Sequence, residues 1–322
     1  MRRVFVFYNP ILVASRGRRA LFERIEAMMR NGHEAEGREV RVAPTFSATS
    51  AGAQAAEAVE AGYDTVLVCG GDGTVFQVLQ GIAGKGVSLG VVPLGTGNVI
   101  AQNLGLPRNP LHAAQMLLHG QPRQVRLGKL KVAPVGHARP KSWFFLIAAG
   151  MGLHASLMNL SQMGNGKRLG GRAAYFAGGA RLLLKEPIEE FLLDITRASG
   201  ETLTVEAAEA IAVALPAINV WQPGGSWFVD SLRLAWIPRC GRMKFFRSVL
   251  AALTNRVPAP GKGKTGQMRP YYEDIVRMVC RPLPDGKRQP RLLVEADGEV
   301  LGTRQLEVSV AEERISLVFP PQ

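Results

Sequence analysis

The sequence contains two glycine-rich loops whose residue types could bind phosphate. The first, at residues 70–74 with the sequence GGDGT, follows the apolar run at residues 65–69. Successive glycines let a backbone approach a ligand closely, and the N-terminus of a following helix presents N–H groups to an anion. A carboxylate there would repel phosphate unless a divalent cation lay between them, so Asp72 is interpreted as a Mg²⁺-associated residue. Glycine-rich turns between a strand and a helix also occur for packing alone, and this second interpretation stays open.

The second loop, at residues 93–98 with the sequence PLGTGN, again follows an apolar run and precedes a helical pattern. Two parallel strands that end in such loops place both at the carboxyl edge of one sheet, where open α/β folds bind ligands. The dinucleotide fingerprint fits poorly, because its acidic ribose partner cannot lie in an acid-free stretch. The P-loop-like Gly263-Lys264-Thr265 has Pro258 in place of the first glycine, so residues 257–270 are interpreted as a flexible basic loop.

The elements that must position these loops follow an alternating pattern in the N-terminal part, which predicts an α/β layer with a mainly parallel sheet. Apolar residues at helical spacing follow the first strand, and Asn31-Gly32 is expected to end that helix. Asn109-Pro110 is expected to cap a later helix. The strands are expected at residues 4–8, 40–42, 65–69 and 88–92, and further helices at 51–61 and 75–82.

From about residue 124 the pattern predicts an antiparallel sheet. Strand-like segments lie at residues 191–195, 232–237, 276–280, 291–296 and 306–310. The dipeptides Ser199-Gly200, Asp285-Gly286 and Asp297-Gly298 separate segments of this part and predict hairpin turns. Helices are expected near residues 172–185 and 243–254.

The charge of the chain is uneven. Formal net charge is +13, from 39 Lys and Arg against 26 Asp and Glu. Between Gly73 and Lys185 there is no Asp or Glu, and 13 cations stand unopposed. Such a segment attracts nucleotide phosphates, anionic lipid head groups or nucleic acid, although a solvated basic surface without a specific partner stays open. No nucleic acid is expected, because aromatic residues are only 7% of the chain and no stacking motif accompanies the cations.

Length and composition indicate a folded protein of about two domains. The 322 residues are 47% hydrophobic and 20% charged, which excludes disordered, collagen-like and coiled-coil classes. Cys69, Cys240 and Cys280 form no C-x-x-C pair, so neither a disulfide framework nor a zinc site is indicated. The five histidines show no spacing that pairs them with carboxylates, and surface or core roles are expected for them. The scarcity of cysteine favours a reducing, intracellular setting. No apolar run approaches the ~20 residues that span a bilayer, so a soluble protein is expected unless it docks onto a surface.

Several motifs together resemble the diacylglycerol kinase catalytic-domain family, which is more distantly similar to NAD kinases. Residues 70–74 and 78–82, then 91–98 and 104–107, carry the resemblance. Asn9-Pro10 looks like the end of the family's first strand, and Thr45 has the expected spacing before Asp72. The second half adds partial matches at Gly150-Met151-Gly152, Gly170, Tyr175 and Asp297-Gly298-Glu299.

The resemblance implies a fold of two domains. Residues 1–123 are expected to form a nucleotide-binding α/β domain, NAD kinase-like, with three layers and a mainly parallel sheet. Residues 124–310 are expected to form a mostly antiparallel β domain with a few helices, which would take the lipid substrate. A C-terminal strand at residues 311–322 is expected to return to the first domain.

The resemblance also implies an ATP-dependent lipid kinase with ATP and Mg²⁺ as cofactors. It would transfer the γ-phosphoryl group to a hydroxyl of a diacylglycerol-like or sphingoid lipid. Asp72 would organise Mg²⁺ and Glu299 would accept the hydroxyl proton, although an ordinary hairpin turn also explains the D-G-E segment. The residues expected around the nucleotide are Asn9, Thr45, Gly70, Gly71, Gly73, Thr74, Gly95, Thr96 and Asn98. Arg16 and Arg18 are expected either to contact phosphates or to lie solvated at a helix start.

Three positions depart from the family pattern. The family usually has Glu at Gln77, Asp at Val99 and Arg at Gln102. An apolar side chain cannot replace a Mg²⁺ or water ligand, so either the metal is held differently or catalysis is weak or absent. A catalytically weakened protein that binds nucleotide or lipid on the same fold is therefore the alternative. An NAD kinase is the third hypothesis, against which the D-G-E segment and the form of the second loop argue.

The expected partners are a lipid substrate and an anionic membrane surface. The unopposed cations would hold the protein peripherally on the inner face of the membrane, on the cytoplasmic side. The resemblance is also compatible with a homodimer formed through an edge strand.

Overall fold

The computed structural model describes residues 2–35, 37–47, 50–132, 140–156, 158, 188, 190–215, 227–253, 271–283, 293–303 and 305–321. The chain divides into two compact units, called unit 1 and unit 2 below. Unit 1 contains residues 1–127 and 311–322, and unit 2 contains residues 128–310. Gly170, Tyr175, the helix expected near residues 172–185, the loop at 257–270 and the Asp285-Gly286 turn lie outside the described residues.

Unit 1 contains a parallel sheet of apolar strands. In order across the sheet these are β2 (Glu39–Pro44), β1 (Arg3–Tyr8), β3 (Thr65–Gly70), β4 (Ser88–Pro93) and the end of β14 (Leu306–Phe319). Each neighbouring pair is parallel, and Leu89 lies opposite both Val66 and Leu317. Every residue of β3 is buried, as is typical of a strand with helices on both faces of its sheet.

Five helices accompany this sheet within the described residues of unit 1. They are α1 (Arg16–Ala35), α2 (Ala51–Glu60), α3 (Asp72–Ile82), α4 (Val99–Asn103) and α5 (Pro110–Leu118). The side chain of Asn109 accepts the N–H groups of Leu111 and His112, which explains the start of α5. α3 begins at Asp72, three residues before the predicted start, so the first glycine loop leads directly into its first turn.

The prediction that Asn31-Gly32 ends α1 is wrong. The helix continues to Ala35, and the buried side chain of His33 belongs to its inner face. A Cβ atom at Gly32 would lie 2.6 Å from Cδ1 of Leu118 at the end of α5. Gly32 therefore lets α1 pack closely against α5, a requirement that the local sequence cannot distinguish from a helix stop.

Unit 2 contains an antiparallel sheet. Its strands are the end of β5 (Gln121–Val132), β6 (Lys141–Phe145), β7 (Ala148–Gly152), β8 (Phe191–Arg197), β9 (Thr202–Val213), β10 (Leu232–Pro238), β11 (Tyr271–Pro282), β12 (Leu293–Ala296), β13 (Glu299–Thr303) and the start of β14. The order β13-β12-β7-β9-β10-β11-β14 runs through the unit, and β8 pairs with both β9 and β11. α6 (Arg242–Leu253) follows β10 and buries Phe245 against Ala208 and Ile237.

The predicted fold class is confirmed, with a parallel α/β part followed by a mostly antiparallel β part. The Ser199-Gly200 turn joins β8 to β9, with Gly200 at φ +85°. In the part of the chain that the structure describes, no helix is long and apolar enough to cross a membrane.

Candidate active site

The two glycine loops pack directly against each other at the carboxyl ends of β3 and β4. Gly70 pairs with Pro93, and Leu94 donates its N–H to the Gly70 carbonyl oxygen at 2.9 Å. A Cβ atom at Gly95 would lie 2.6 Å from the Cα of Gly71, so the two backbones could not approach as they do with any other residue there. Packing between the loops thus accounts for these two glycines, in addition to whatever a ligand requires.

Asp72 connects the first loop to the helix that follows the second. Its Oδ2 accepts the N–H of Val99 at 3.1 Å, and its Oδ1 accepts the N–H of Ile100 at 3.2 Å. Burial raises the pKa of Asp72, whereas these backbone N–H groups oppose that rise. The carboxylate therefore has a structural role at the start of α4.

The second loop is shaped by Asn98. This residue has φ +48°, in the left-handed region that asparagine tolerates better than most residues. Its Oδ1 accepts the Gly95 N–H at 2.9 Å, and its Nδ2 donates to the Gly95 carbonyl at 2.8 Å. Gln102 adds a bond from Nε2 to the carbonyl oxygen of Gly97 at 2.6 Å, and Thr96 is exposed at the tip. The loop is therefore held in one conformation by its own side chains.

The end of β1 is joined to the first loop. Asn9 donates from Nδ2 to Oγ1 of Thr74 at 3.3 Å, and its Oδ1 accepts the N–H of Ile11 at 3.0 Å. Thr45 is buried at the end of β2, and both its N–H and its hydroxyl donate to the carbonyl oxygen of Tyr8, at 2.9 and 3.4 Å. Asn9 and Thr74 are thus brought together, while Thr45 lies beside the residue that precedes Asn9.

Of Arg16 and Arg18, the two arginines considered as phosphate contacts, Arg18 reaches a loop within the described residues. Its Nη1 donates to the carbonyl oxygens of Leu12 and Leu94, at 3.3 and 3.4 Å. Arg16 is exposed and has no hydrogen bond to either loop within the described ranges. Arg18 therefore lies next to the second loop, whereas Arg16 is not placed there.

Whether the described residues could hold Mg²⁺ depends on the oxygen donors that they offer. Nowhere in the described part do three His, Cys, Asp or Glu side chains come together as a metal-binding group. Asp72 is a carboxylate beside the loops, and the neighbouring Val99 offers only its backbone. Mg²⁺ is usually bound by one or two carboxylates together with substrate phosphates. These residues therefore fit a Mg²⁺ that arrives with nucleotide phosphates, and they form no preformed metal cage.

In unit 2, the D-G-E segment forms the turn between β12 and β13. Asp297 has φ +49° and Gly298 φ +86°, the combination of a type I′ hairpin turn. The carboxylate of Asp297 accepts three backbone N–H groups, those of Leu146, Ile147 and Ala148, at 2.9, 2.8 and 3.1 Å. Burial raises the pKa of Asp297 to about 7, and the three N–H groups oppose this rise. The turn is therefore fixed to the segment before β7, and Glu299 follows it as the first residue of β13.

Sequence reasoning missed a group of buried ionisable residues near this turn. Glu209 on β9 is 2% exposed, and its Oε2 accepts the N–H of Leu153 at 2.6 Å. His154 Nε2 lies 3.2 Å from Oε1 of Glu295, a pair that the spacing of the histidines in the sequence did not indicate. The separation in sequence hid this pair. The only local signal was that His154 follows the G-x-G segment and Glu295 precedes D-G-E.

Comparison with known proteins agrees with this architecture. Residues 3–130 match the diacylglycerol kinase catalytic domain. A diacylglycerol kinase from Mycobacterium tuberculosis strain CDC 1551 is 40% identical over 95 residues, which are 29% of this chain and 29% of that protein. A diacylglycerol kinase from Bacillus subtilis strain 168 is 33% identical over 133 residues, 40% of this chain and 42% of that protein. The chain thus matches less than half the length of these relatives.

A solved structure extends the likeness to the whole fold. The crystal structure of a diacylglycerol kinase from Bacillus anthracis covers 99% of this chain and 98% of its own, with a TM-score of 0.69 and 16% sequence identity. At that identity the likeness shows the fold alone. The N-terminal part of the chain, at residues 3–130, is therefore similar to the diacylglycerol kinase catalytic domain, and the chain as a whole shares the fold of that crystal structure.

Proposed function

We propose that this protein is an ATP-dependent lipid kinase that phosphorylates a hydroxyl of a diacylglycerol-like or sphingoid lipid. The observation that carries the proposal is the pair of glycine loops at the carboxyl ends of β3 and β4, which pack backbone to backbone and are joined through Asp72. Ligands bind at this edge of open α/β sheets. The diacylglycerol kinases that the chain resembles support a kinase function for these loops.

The nucleotide phosphates would bind at the start of α3. Among the described side chains none caps this N-terminus, and its N-cap residue is Gly71. Backbone N–H groups at such a helix start attract anions. Arg18, which reaches the second loop, would add a positive charge. Mg²⁺ bound to the phosphates would supply charge neutralisation beside Asp72, as in other phosphoryl-transfer enzymes.

The acceptor side of the reaction would use Glu299 in unit 2. Its carboxylate would take the proton of the lipid hydroxyl as the hydroxyl oxygen forms a bond to the γ-phosphorus and the bond to the ADP oxygen breaks. The products are the phosphorylated lipid, ADP and a protonated Glu299. Glu299 is partly buried directly after the fixed turn, so the turn defines where its backbone lies within unit 2, which supports this part of the proposal.

The lipid is expected to be reached at an anionic membrane surface on the cytoplasmic side. The 13 cations between Gly73 and Lys185 support this part of the proposal, since no acidic residue of that segment opposes them. Lys131 and Lys141, on the hairpin of β5 and β6, are exposed members of this segment.

The test is ATP-dependent phosphate transfer to a panel of lipids in mixed micelles with Mg²⁺. Glu299→Gln removes the proton acceptor and is expected to lower kcat by roughly 10²–10⁴-fold, the usual contribution of a general base. Glu60→Gln, an exposed carboxylate at the end of α2, is the matched control and is expected to leave the rate unchanged. Absence of transfer to every lipid by a folded protein that binds ATP would contradict the proposal.

A second candidate function is supported by Val99. In the family this position usually carries Asp, whereas here only the backbone N–H of Val99 reaches Asp72. A protein that binds nucleotide or lipid with little catalysis would fit this substitution. Under this alternative, Val99→Asp would raise a low rate of transfer, while a fully active wild type would exclude it.

A further inference from the structure

The turn that carries Glu299 is held by a second, buried carboxylate. Glu295 on β12 is 1% exposed, and its Oε2 accepts the N–H of Gly298 at 2.9 Å. Gly298 directly precedes Glu299 and lies in the left-handed region. Movement of the Gly298 backbone would therefore move Glu299. Through this bond to Gly298, Glu295 can fix the backbone position of Glu299, the proposed proton acceptor.

The other oxygen of Glu295 faces His154. Oε1 lies 3.2 Å from Nε2 of the ring, at ion-pair distance but without the alignment of a hydrogen bond. The side chain of His154 is 30% exposed, so the ring can exchange its proton with solvent while Glu295 cannot reach water. A buried carboxylate is costly unless a positive charge compensates it. A charged His154 supplies that compensation.

Two further carboxylates are near this pair. Glu209 on β9 accepts the backbone N–H of His154 at 3.3 Å, and Asp297 lies in the same turn as Gly298. Burial opposes a charge on His154, but Glu295 and then Glu209 outweigh it and raise its pKa above the ordinary 6.5. Burial also raises the pKa of Glu209 to about 8. Glu295, whose Oε1 lies 3.2 Å from Nε2 of the ring, is the main carboxylate partner of a charge on His154.

We propose that His154 and Glu295 form a positioning pair for the D-G-E turn, in which the imidazolium holds Glu295 in place and Glu295 holds Gly298 and with it Glu299. The inference rests on the proposed function only for the role of Glu299 as proton acceptor. Neither member of the pair needs to contact substrate. Because the imidazolium is lost as pH rises through the pKa of His154, the turn is held most firmly below that pKa.

The first measurement is made on the full chain without substrate. Hydrogen exchange of the Gly298 amide, corrected for the intrinsic effect of pH, is expected to accelerate as His154 loses its proton. His154→Gln should speed this exchange roughly tenfold at pH 6 and remove its pH dependence, as loss of a charge-assisted interaction would. His112→Gln, which changes an exposed histidine of α5, is the matched control and should alter neither property.

The second measurement separates pairing from simple structural damage. Glu295→Gln keeps an oxygen that can accept the Gly298 N–H, but it removes the charge that faces His154. The NMR titration of the His154 ring should then move to lower pH. In a double-mutant cycle, the variant with both changes should exchange Gly298 about as fast as His154→Gln alone, because the second change has no partner left to remove. The same titration of His154 in Glu209→Gln shows how much of the curve is due to the ionisation of Glu209.

Activity assays separate a failure of the proposed kinase function from a failure of the His154–Glu295 pair. If the wild type phosphorylates lipid, His154→Gln should lower kcat with an unchanged KM for ATP, and the loss should be larger at pH 6 than at pH 8. If the wild type transfers no phosphate, the proposed function fails, while the amide exchange of Gly298 still decides the pair. Exchange of Gly298 that is indifferent to pH and to both variants would overturn the pair, whether or not the protein is active.

Discussion

The Asp72 carboxylate accepts the backbone N–H of Val99 at 3.1 Å, which joins two loops across 27 positions of sequence. The Ile100 N–H adds a bond of 3.2 Å to the other carboxylate oxygen. Backbone N–H groups at a helix start favour a negative charge. The acidic Asp72 can therefore occupy the first glycine loop without a cation, because the start of α4 compensates part of its charge.

This relationship predicts a structural consequence of changing Asp72. Asp72→Asn replaces one acceptor oxygen by an NH₂ group that cannot accept either N–H, so unit 1 should lose about 1–3 kcal/mol of stability. The amides of Val99 and Ile100 should exchange faster, as NMR would show. Glu60→Gln is again the control. Unchanged exchange at both amides would mean that the carboxylate does not hold α4 in solution.

The contact between the two glycine loops predicts a large effect of one methyl group. Gly95→Ala would place Cβ 2.6 Å from the Cα of Gly71 and 2.9 Å from Oδ1 of Asn98, so the loops would have to separate. We expect a loss of about 1–3 kcal/mol in chemical denaturation and a clear weakening of ATP binding. Gly17→Ala, in α1 with nothing within 4 Å of the new Cβ, should instead be neutral or stabilise by up to about 1 kcal/mol. Equal effects of the two variants would contradict the packing argument.

The basic segment predicts salt-sensitive binding to anionic vesicles. Binding to vesicles that contain phosphatidylglycerol should fall as salt rises from about 0.1 to 1 M, because the screening length shrinks from about 10 to about 3 Å. Lys131→Glu and Lys141→Glu should each weaken binding more than Arg24→Glu, which makes the same change of charge at an exposed site on α1 outside the segment. Binding that is indifferent to salt would contradict this part of the proposed function.

The sequence predicted the elements of unit 1 well because their signals are local. The apolar run that became β3 and the Asn109 cap of α5 each depend on a few neighbouring residues. The predicted end of α1 was wrong because the need for glycine at position 32 comes from packing against Leu118, which is distant in sequence. The residue types of both loops were recognisable, but the use of Asp72 as an acceptor for α4 depends on how the loops pack. Tertiary contacts of this kind leave no periodic signal.

The candidate residues of unit 2 show the same limit more sharply. Asp297-Gly298 was recognisable as a turn because positive φ angles select those residue types. The partners of its carboxylate, from Leu146 to Ala148, lie about 150 positions earlier, and pairing between distant strands brings them there. His154 and Glu295 meet for the same reason. Pairing between distant strands thus brings ionisable side chains together in a way that the local sequence pattern cannot reveal.

The buried carboxylate of Glu209 predicts that unit 2 is less stable at alkaline pH. Its pKa is raised from 4.5 to about 8 by burial, so its stabilising contribution is full below about pH 4.5 and is lost as pH rises to about 8. The raised pKa values of His154 and Asp297 act in the same direction. Through Glu209 alone, the free energy of unfolding should decrease by roughly 3–5 kcal/mol over this pH range. Because all four tryptophans lie between residues 128 and 310, tryptophan fluorescence in urea reports on unit 2.

The urea concentration at the midpoint of unfolding, followed by this fluorescence, should therefore decrease as the pH is raised from 5 to 8. The side chain in Glu209→Gln cannot ionise, so the urea midpoint of this variant should vary less over the same pH range. Its amide oxygen can still accept the N–H of Leu153. Glu60→Gln in unit 1 should keep the full dependence of the wild type. If Glu209→Gln and the wild type showed the same slope against pH, the carboxylate would already be ionised at pH 5. The three N–H donors of Asp297 would then be the better guide to how buried acids behave in this unit, because such donors favour the charged form.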